Sequence, residues 1–175
     1  MVPDPERRRH ALFRIGAAGG EPGARGHGDL WRARRIGGHF GEPENLGATV
    51  NTPGNDIEAY VAPDESLLIF ASNGRPDTVG AYDLYLTYNC DGAWTEPRHL
   101  DVNSAAWDFS PRVSPDGRRL LFTSNRGFSN APLDRPLDYS QLTDRLHAPG
   151  NGLRDIYQVD VAELGIHRPC EDAKH

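Results

Sequence analysis

A chain of 175 residues, 37% of them hydrophobic, is long enough to bury one sizeable core. A formal net charge of −6 excludes general nucleic-acid binding, which needs a basic footprint. No apolar run is long enough to span a membrane as a helix. Nineteen Gly and fourteen Pro point to frequent turns and so to an all-β chain. Residues 1–35 carry eight Arg against four acids, but Lys occurs only at Lys174, so the Arg excess reads as surface charge rather than a binding stripe.

In chain order, residues 1–27 are rich in Arg, Gly and Pro and read as a poorly ordered leader or a truncated repeat; their one short apolar piece is Ala11 to Ile15. Arg7-Arg8-Arg9 has the charge of a signal-peptide start, but Ala11-Leu12-Phe13 is cut by Arg14, so the chain shows no signal peptide. A strand is expected from Asp29, a second over Phe40 to Leu46, and a polar loop over Gly47 to Asn55. Ile57 to Ala62 and Leu67 to Phe70 follow as strands around a Pro63-Asp64-Glu65 turn. Tyr82 to Thr87 makes another, Asp91-Gly92 is a hairpin signal, and Trp94 to Leu100 closes the unit.

The unit then recurs. Pro63, Asp64, Phe70, Ser72 and Asn73 return 52 residues later as Pro115, Asp116, Phe122, Ser124 and Asn125, and Asp56 returns as Asp108. Asp29-Leu30-Trp31 returns as Asp83-Leu84-Tyr85 and again as Asp155-Ile156-Tyr157, after an insertion of about twenty residues in the second repeat. Leu67-Leu68-Ile69-Phe70 and Leu120-Leu121-Phe122 are apolar on both faces, as strands are when sheets stack face to face. A repeat of this length with four short strands predicts a propeller blade. The domain reading is therefore blades over residues 28–162, with 29–46 partial, 57–100 full and 109–161 nearly full around an insertion at 127–154, then a tail at 163–175.

Ser114-Pro115-Asp116-Gly117 before an apolar strand, then Ser124-Asn125-Arg126 and Asp155-Ile156-Tyr157, resembles the TolB-type, WD-repeat-like β-propeller family. The first repeat departs from it, with Ala62-Pro63-Asp64-Glu65 lacking the Ser and the Gly, and with an inserted Gly74 before Arg75. The resemblance implies a parent of about six blades, periplasmic or secreted, acting as a protein-binding scaffold or attached to peptidases. Six blades need about 280 residues, so the chain is expected to be the tail of a longer propeller, with self-association of copies as the alternative.

Sequence motifs for chemistry are few. There is no G-x-S-x-G, H-E-x-x-H, phosphate-cradling Gly loop or C-x-x-C, and seven scattered His lack metal-ligand spacing, so no cofactor and no metal are expected. Asp101-x-Asn103 resembles the start of a calcium loop, but Ala105 and Ala106 stand where ligand and glycine should follow. Cys90 and Cys170 are too few for a disulfide framework and are expected as unpaired thiols, a lone bridge being the alternative.

Asp56, Glu58 and Asp108 fall at the entry to the innermost strands, with Arg112 further along the second. They read as turn caps, or else as a polar ligand site at the channel mouth. Structural ion pairs are expected between Arg75 and Asp83 and between Arg126 and Asp155, where second strands end and third strands begin. The insertion carries Leu133, Leu137, Tyr139, Leu142 and Leu146, with Ser140 placed to cap a helix over Gln141 to Leu146 that folds over the rim. The functional expectation is a non-catalytic binding or scaffold module, presenting loops and Tyr139 to a protein, peptide or glycan. The alternative is an enzyme-associated propeller, either a hydrolase or lyase, or the gating domain of a peptidase. A glycosidase would need a carboxylate pair, which only Glu58 with Asp56 or Asp108 could furnish.

Overall fold

The computed structural model describes residues 10–15, 28–36, 38–127 and 135–166, the first stretch as backbone only. The remainder of the leader, Gly37, Leu133 and Cys170 lie outside the described residues. The chain is all-β apart from one short helix, with antiparallel sheets throughout. The first sheet is β1 (His10–Ile15), β2 (Asp29–Ile36) and β3 (His39–Asn45). The second is β4 (Asp56–Val61), β5 (Leu67–Ser72) and β6 (Asp83–Cys90), edged by the short strands β7 (Ala93–Trp94) and β8 (Arg98–His99). The third is β9 (Asp108–Val113), β10 (Arg119–Ser124) and β11 (Asp155–Asp160). The expected outer strand Trp94 to Leu100 is thus broken in two, because Pro97 has no N–H to give the ladder.

The three sheets lie against one another through their first strands. β4 packs against β9 on one side and against β1 and β2 on the other, without sharing a ladder with any of them. This stacking explains the apolar runs. Along β5, Leu68 and Phe70 point to the core shared with Leu30 and Val50, while Ile69 and Ala71 join Leu84, Leu86, Leu120 and Phe122 on the other side. Every one of these side chains is buried, and full burial of a large apolar side chain contributes roughly 1.5 to 3 kcal/mol.

The turns follow the repeat. Gly117 (φ +74°) takes the left-handed conformation after Pro115-Asp116, and Glu65 (φ +58°) takes it in the first repeat, where glycine is missing. Asp91 and Gly92 are both at positive φ, as a two-residue hairpin requires. β4 and β9 also each carry a bulge, centred on Glu58 (φ +52°) and Ser110 (φ +53°), which are 52 residues apart. Cys90 is disulfide-bonded, which corrects the expectation of unpaired thiols.

The insertion contains α1 (Tyr139–His147). Its cap is Asp138 rather than Ser140, and it starts earlier than expected. The Asp138 carboxylate accepts from the Gln141 N–H while Gln141 Oε1 accepts from the Asp138 N–H, a reciprocal capping box that leaves Ser140 inside the first turn. The helix buries none of its residues, so Tyr139, Leu142 and Leu146 are exposed instead of folding over the rim.

Candidate functional site

The loop side of the sheets is held by one device used twice. In the second repeat, Asp108 Oδ2 accepts from the Ser104 N–H at 2.6 Å and hydroxyl at 2.8 Å, Ser104 Oγ accepts from the Ala106 N–H at 3.2 Å, and Asn125 Oδ1 accepts from the Trp107 N–H at 2.9 Å. In the first, Asp56 receives Thr52 at 2.6 and 2.8 Å, Thr52 Oγ1 receives Gly54 at 3.2 Å, and Asn73 receives Asn55 at 2.7 Å. Asp56 and Asp108 are fully buried. They act as loop caps, and their carboxylates satisfy backbone donors that would otherwise be buried without partners.

An Arg completes each device by lying over the aromatic pair of its own sheet. Arg126 sits 4.9 Å from the Phe122 ring centroid and 5.0 Å from that of Tyr157; Arg75 sits 5.4 Å from Phe70 and 5.1 Å from Tyr85. From there Arg126 donates to the Val102 carbonyl at 2.7 Å and to Asp108 at 2.6 Å. Arg75 donates to the Val50 carbonyl at 2.6 Å and pairs at 3.7 Å with Glu96. The expected pairs Arg75–Asp83 and Arg126–Asp155 are therefore replaced. Stacking on the aromatics places each guanidinium against the carbonyl of the preceding loop, Val50 or Val102, rather than on the Asp that begins the third strand. Asp83 is occupied by the Val79 and Gly80 N–H groups and by His99 at 2.7 Å, and Asp155 by the Gly150 N–H at 2.7 Å.

The inserted Gly74 makes the two repeats unequal. Arg75 stands one residue further on than Arg126, and Asp56 Oδ1 has no hydrogen-bond partner. Burial pushes the Asp56 carboxyl above its ordinary value, against the Thr52 hydrogen bonds and the Arg75 charge, which pull it down. Two further residues belong to the device and were missed in the sequence. Asn51 bridges the N–H and carbonyl of Leu30 at 2.8 and 2.9 Å, and Asn103 bridges those of Leu84 at 2.7 and 2.9 Å. The recurrence of Val50-Asn51-Thr52 as Val102-Asn103-Ser104 at the same offset of 52 was the available signal.

The expected ligand residues do not converge. Glu58 and Arg112 are exposed on β4 and β9, where Ser110 Oγ donates to the Glu58 carboxylate and Arg112 Nη1 donates to the Pro111 carbonyl at 2.7 Å. Asp56 and Asp108 are sealed in their loops, and Tyr139 stands on α1, 86% exposed. Neither Asp can reach a substrate beside Glu58, so the carboxylate pair needed for glycoside hydrolysis is not assembled. Among the described residues no group of three His, Cys, Asp or Glu is placed to hold a metal.

Two clefts among the described residues bear on function. One of about 480 Å³ lies on the tight-turn side between the second and third sheets, with Tyr60, Leu67, Ile69, Tyr88, Val113 and Val161 among its lining residues. The other, about 440 Å³, lies on the loop side and is lined by Ser104, Ala105, Ala106, Trp107, Asn125, Arg126 and Gly127. Comparison with known protein families and with curated proteins gives no match for this chain.

Proposed function

We propose that the chain is a non-catalytic, propeller-type binding scaffold of TolB-like repeats, which presents its loop side to a protein, peptide or glycan. The observation that carries this reading is the repeated Asp–Ser/Thr–Asn–Arg device, which fixes two successive loops in one geometry on one side. A rigid sheet stack with pre-set loops holds a binding surface at low entropic cost. The disulfide at Cys90 supports the periplasmic or secreted setting, since such bonds persist in oxidising compartments.

Hydrogen exchange on the protein, with and without a cell-envelope extract, tests the reading. Protection is expected in residues 47–56, 73–80, 101–108 and 135–154. Protection confined to the tight turns at 63–66, 89–92 and 115–118 overturns it.

A further inference from the structure

The loop-side cleft exists because the two repeats differ at two places. In the first repeat the corresponding space is occupied by Gly74, whose backbone lies so close that a Cβ on Gly54 would come within 2.6 Å of the Gly74 Cα. The second repeat lacks that residue, since Asn125 is followed directly by Arg126, and the space is left as the cleft of about 440 Å³. The second difference is Trp107, which stands 52 residues after Asn55. A half-buried Asn in the first repeat is a large, exposed aromatic in the second, at the edge of the cleft that only the second repeat leaves open.

The chemistry of the lining is specific. Trp107 is 43% exposed, and its ring is backed by Tyr82 at 5.7 Å between centroids. Its backbone is pinned by the Asn125 carboxamide oxygen, and the following Asp108 N–H donates to the Tyr82 carbonyl at 2.8 Å. The ring is thus a supported platform. With Asn125 Oδ1 committed to Trp107, its Nδ2 group is the donor left for a ligand. Arg126 also lines the cleft, but Asp108 balances its charge at 2.6 Å, and its Nε donates to Ser124 Oγ at 3.0 Å. Among the described residues no carboxylate lines the cleft. A shallow pocket with an aromatic face, an amide donor and no net charge suits a neutral ring carrying apolar C–H on its face and hydroxyls on its rim.

We propose that this cleft is a subsite for the pyranose ring of a neutral saccharide, stacked on Trp107 and hydrogen-bonded by Asn125. The proposal rests on the loop-side binding reading and narrows its ligand class. Neither Glu58 nor Arg112 takes part.

The full chain is titrated with maltose, cellobiose, lactose and N,N′-diacetylchitobiose, with N-acetylneuraminic acid and tetra-alanine as comparisons, and followed by ¹H–¹⁵N NMR. At least one neutral disaccharide is expected to move the Trp107 indole and Asn125 side-chain signals saturably, leaving the indoles of Trp31 and Trp94 in place. Trp107→Asn, which restores the residue of the first repeat, is expected to weaken that binding at least about tenfold, the loss of one stacked ring. Trp107→Phe keeps a ring and should retain part of the affinity, which covers the case in which the Asn variant fails to fold. The proposal is overturned if no neutral saccharide moves Trp107, if the acidic sugar or the peptide binds there more tightly than every neutral one, or if Trp107→Asn binds undiminished. Loop protection by an extract component without any saccharide binding would leave the scaffold reading standing and remove this one.

Discussion

Arg126 closes onto Asp108 across 2.6 Å, whereas Arg75, one inserted residue further along in the other repeat, leaves the matching oxygen of Asp56 without a partner. The same loop cap thus exists in a paired and an unpaired form within one chain. Breaking a buried ion pair from one side strands a charge, whereas Asp56 has no ion pair at that oxygen to break and holds its loop through Thr52.

The two carboxylates should therefore respond oppositely to the same substitution. Asp108→Asn is expected to destabilise by about 1 to 3 kcal/mol in urea unfolding at neutral pH, because it leaves Arg126 facing a neutral amide. Asp56→Asn keeps an oxygen for Thr52 and is expected to be neutral or stabilising by about 1 kcal/mol. The pH dependence has a definite sign. Burial raises the folded-state pKa of Asp56 above the ordinary carboxylate value, so the folded state binds more protons than the unfolded one between the two. The wild type should gain stability relative to Asp56→Asn as pH falls through the folded pKa toward 3.8. A difference that stays flat with pH, or equal losses in both variants, would contradict the geometry.

The turn residues give a second test. Glu65 is held at φ +58° where the second repeat has Gly117, and no atom would crowd a Cβ at Gly117. Backbone strain at this one position then sets the expected sign of each substitution. Glu65→Gly is expected to stabilise by up to about 1 kcal/mol, the left-handed strain relieved being partly offset by unfolded-state entropy. Gly117→Ala is expected to destabilise by about 1 kcal/mol. Thermal melts of both variants check the pair, and opposite signs are required.

Much of this fold was legible because a repeat makes each strand vouch for its partner 52 residues away. Leu67-Leu68-Ile69-Phe70 announced a strand buried on both faces, and β5 is buried on both faces between two sheets. Side-chain partners were harder to read. Arg126 and Asp155 are neighbours at strand ends, but a long Arg side chain can fold either way, and stacking on Phe122 and Tyr157 decided the direction. Asn103 falls in an incomplete calcium-loop pattern and Asn51 in no motif, so only their offset of 52 links them. The Trp107 cleft was invisible for another reason: it is created by the absence of a residue, which no motif records.

Asn51 supplies a third prediction. Its carboxamide is 1% exposed and makes two hydrogen bonds with Leu30 across the loop. Asn51→Ala would leave the buried Leu30 N–H unpaired, at about 1 to 3 kcal/mol before relaxation, while the Leu30 carbonyl keeps the Leu46 N–H at 3.1 Å. Asn51→Asp keeps the acceptor and loses the donor, so it should fall between. Urea unfolding of the three proteins should give that order, and an Ala variant as stable as the wild type would remove Asn51 from the device.

The disulfide is open to direct test. Thiol titration of the unfolded, unreduced protein should find no free thiol at Cys90, and reduction should lower stability by roughly 2 to 4 kcal/mol. A Cys90 that reacts fully with the reagent before reduction would remove both the bond and its support for an oxidising compartment.

The last prediction uses two residues at one position of the repeat. Leu84 pairs with Ala71 in β5, and Ile156 pairs with Thr123 in β10, each the second residue of its third strand. Leu84 is 0% exposed because the third sheet covers its face of the second, while Ile156 is 76% exposed. The transfer free energy that holds Leu84 is therefore not gained at Ile156 within this chain. Leu84→Ala is expected to cost about 2 to 5 kcal/mol, the usual range for a truncated core side chain. Ile156→Ala should stay within about 0.5 kcal/mol, as surface changes do. Both are read from urea unfolding of dilute protein. A large cost for Ile156→Ala under those conditions would mean that its face is covered after all, and that the sheet stack does not stop at β9–β11.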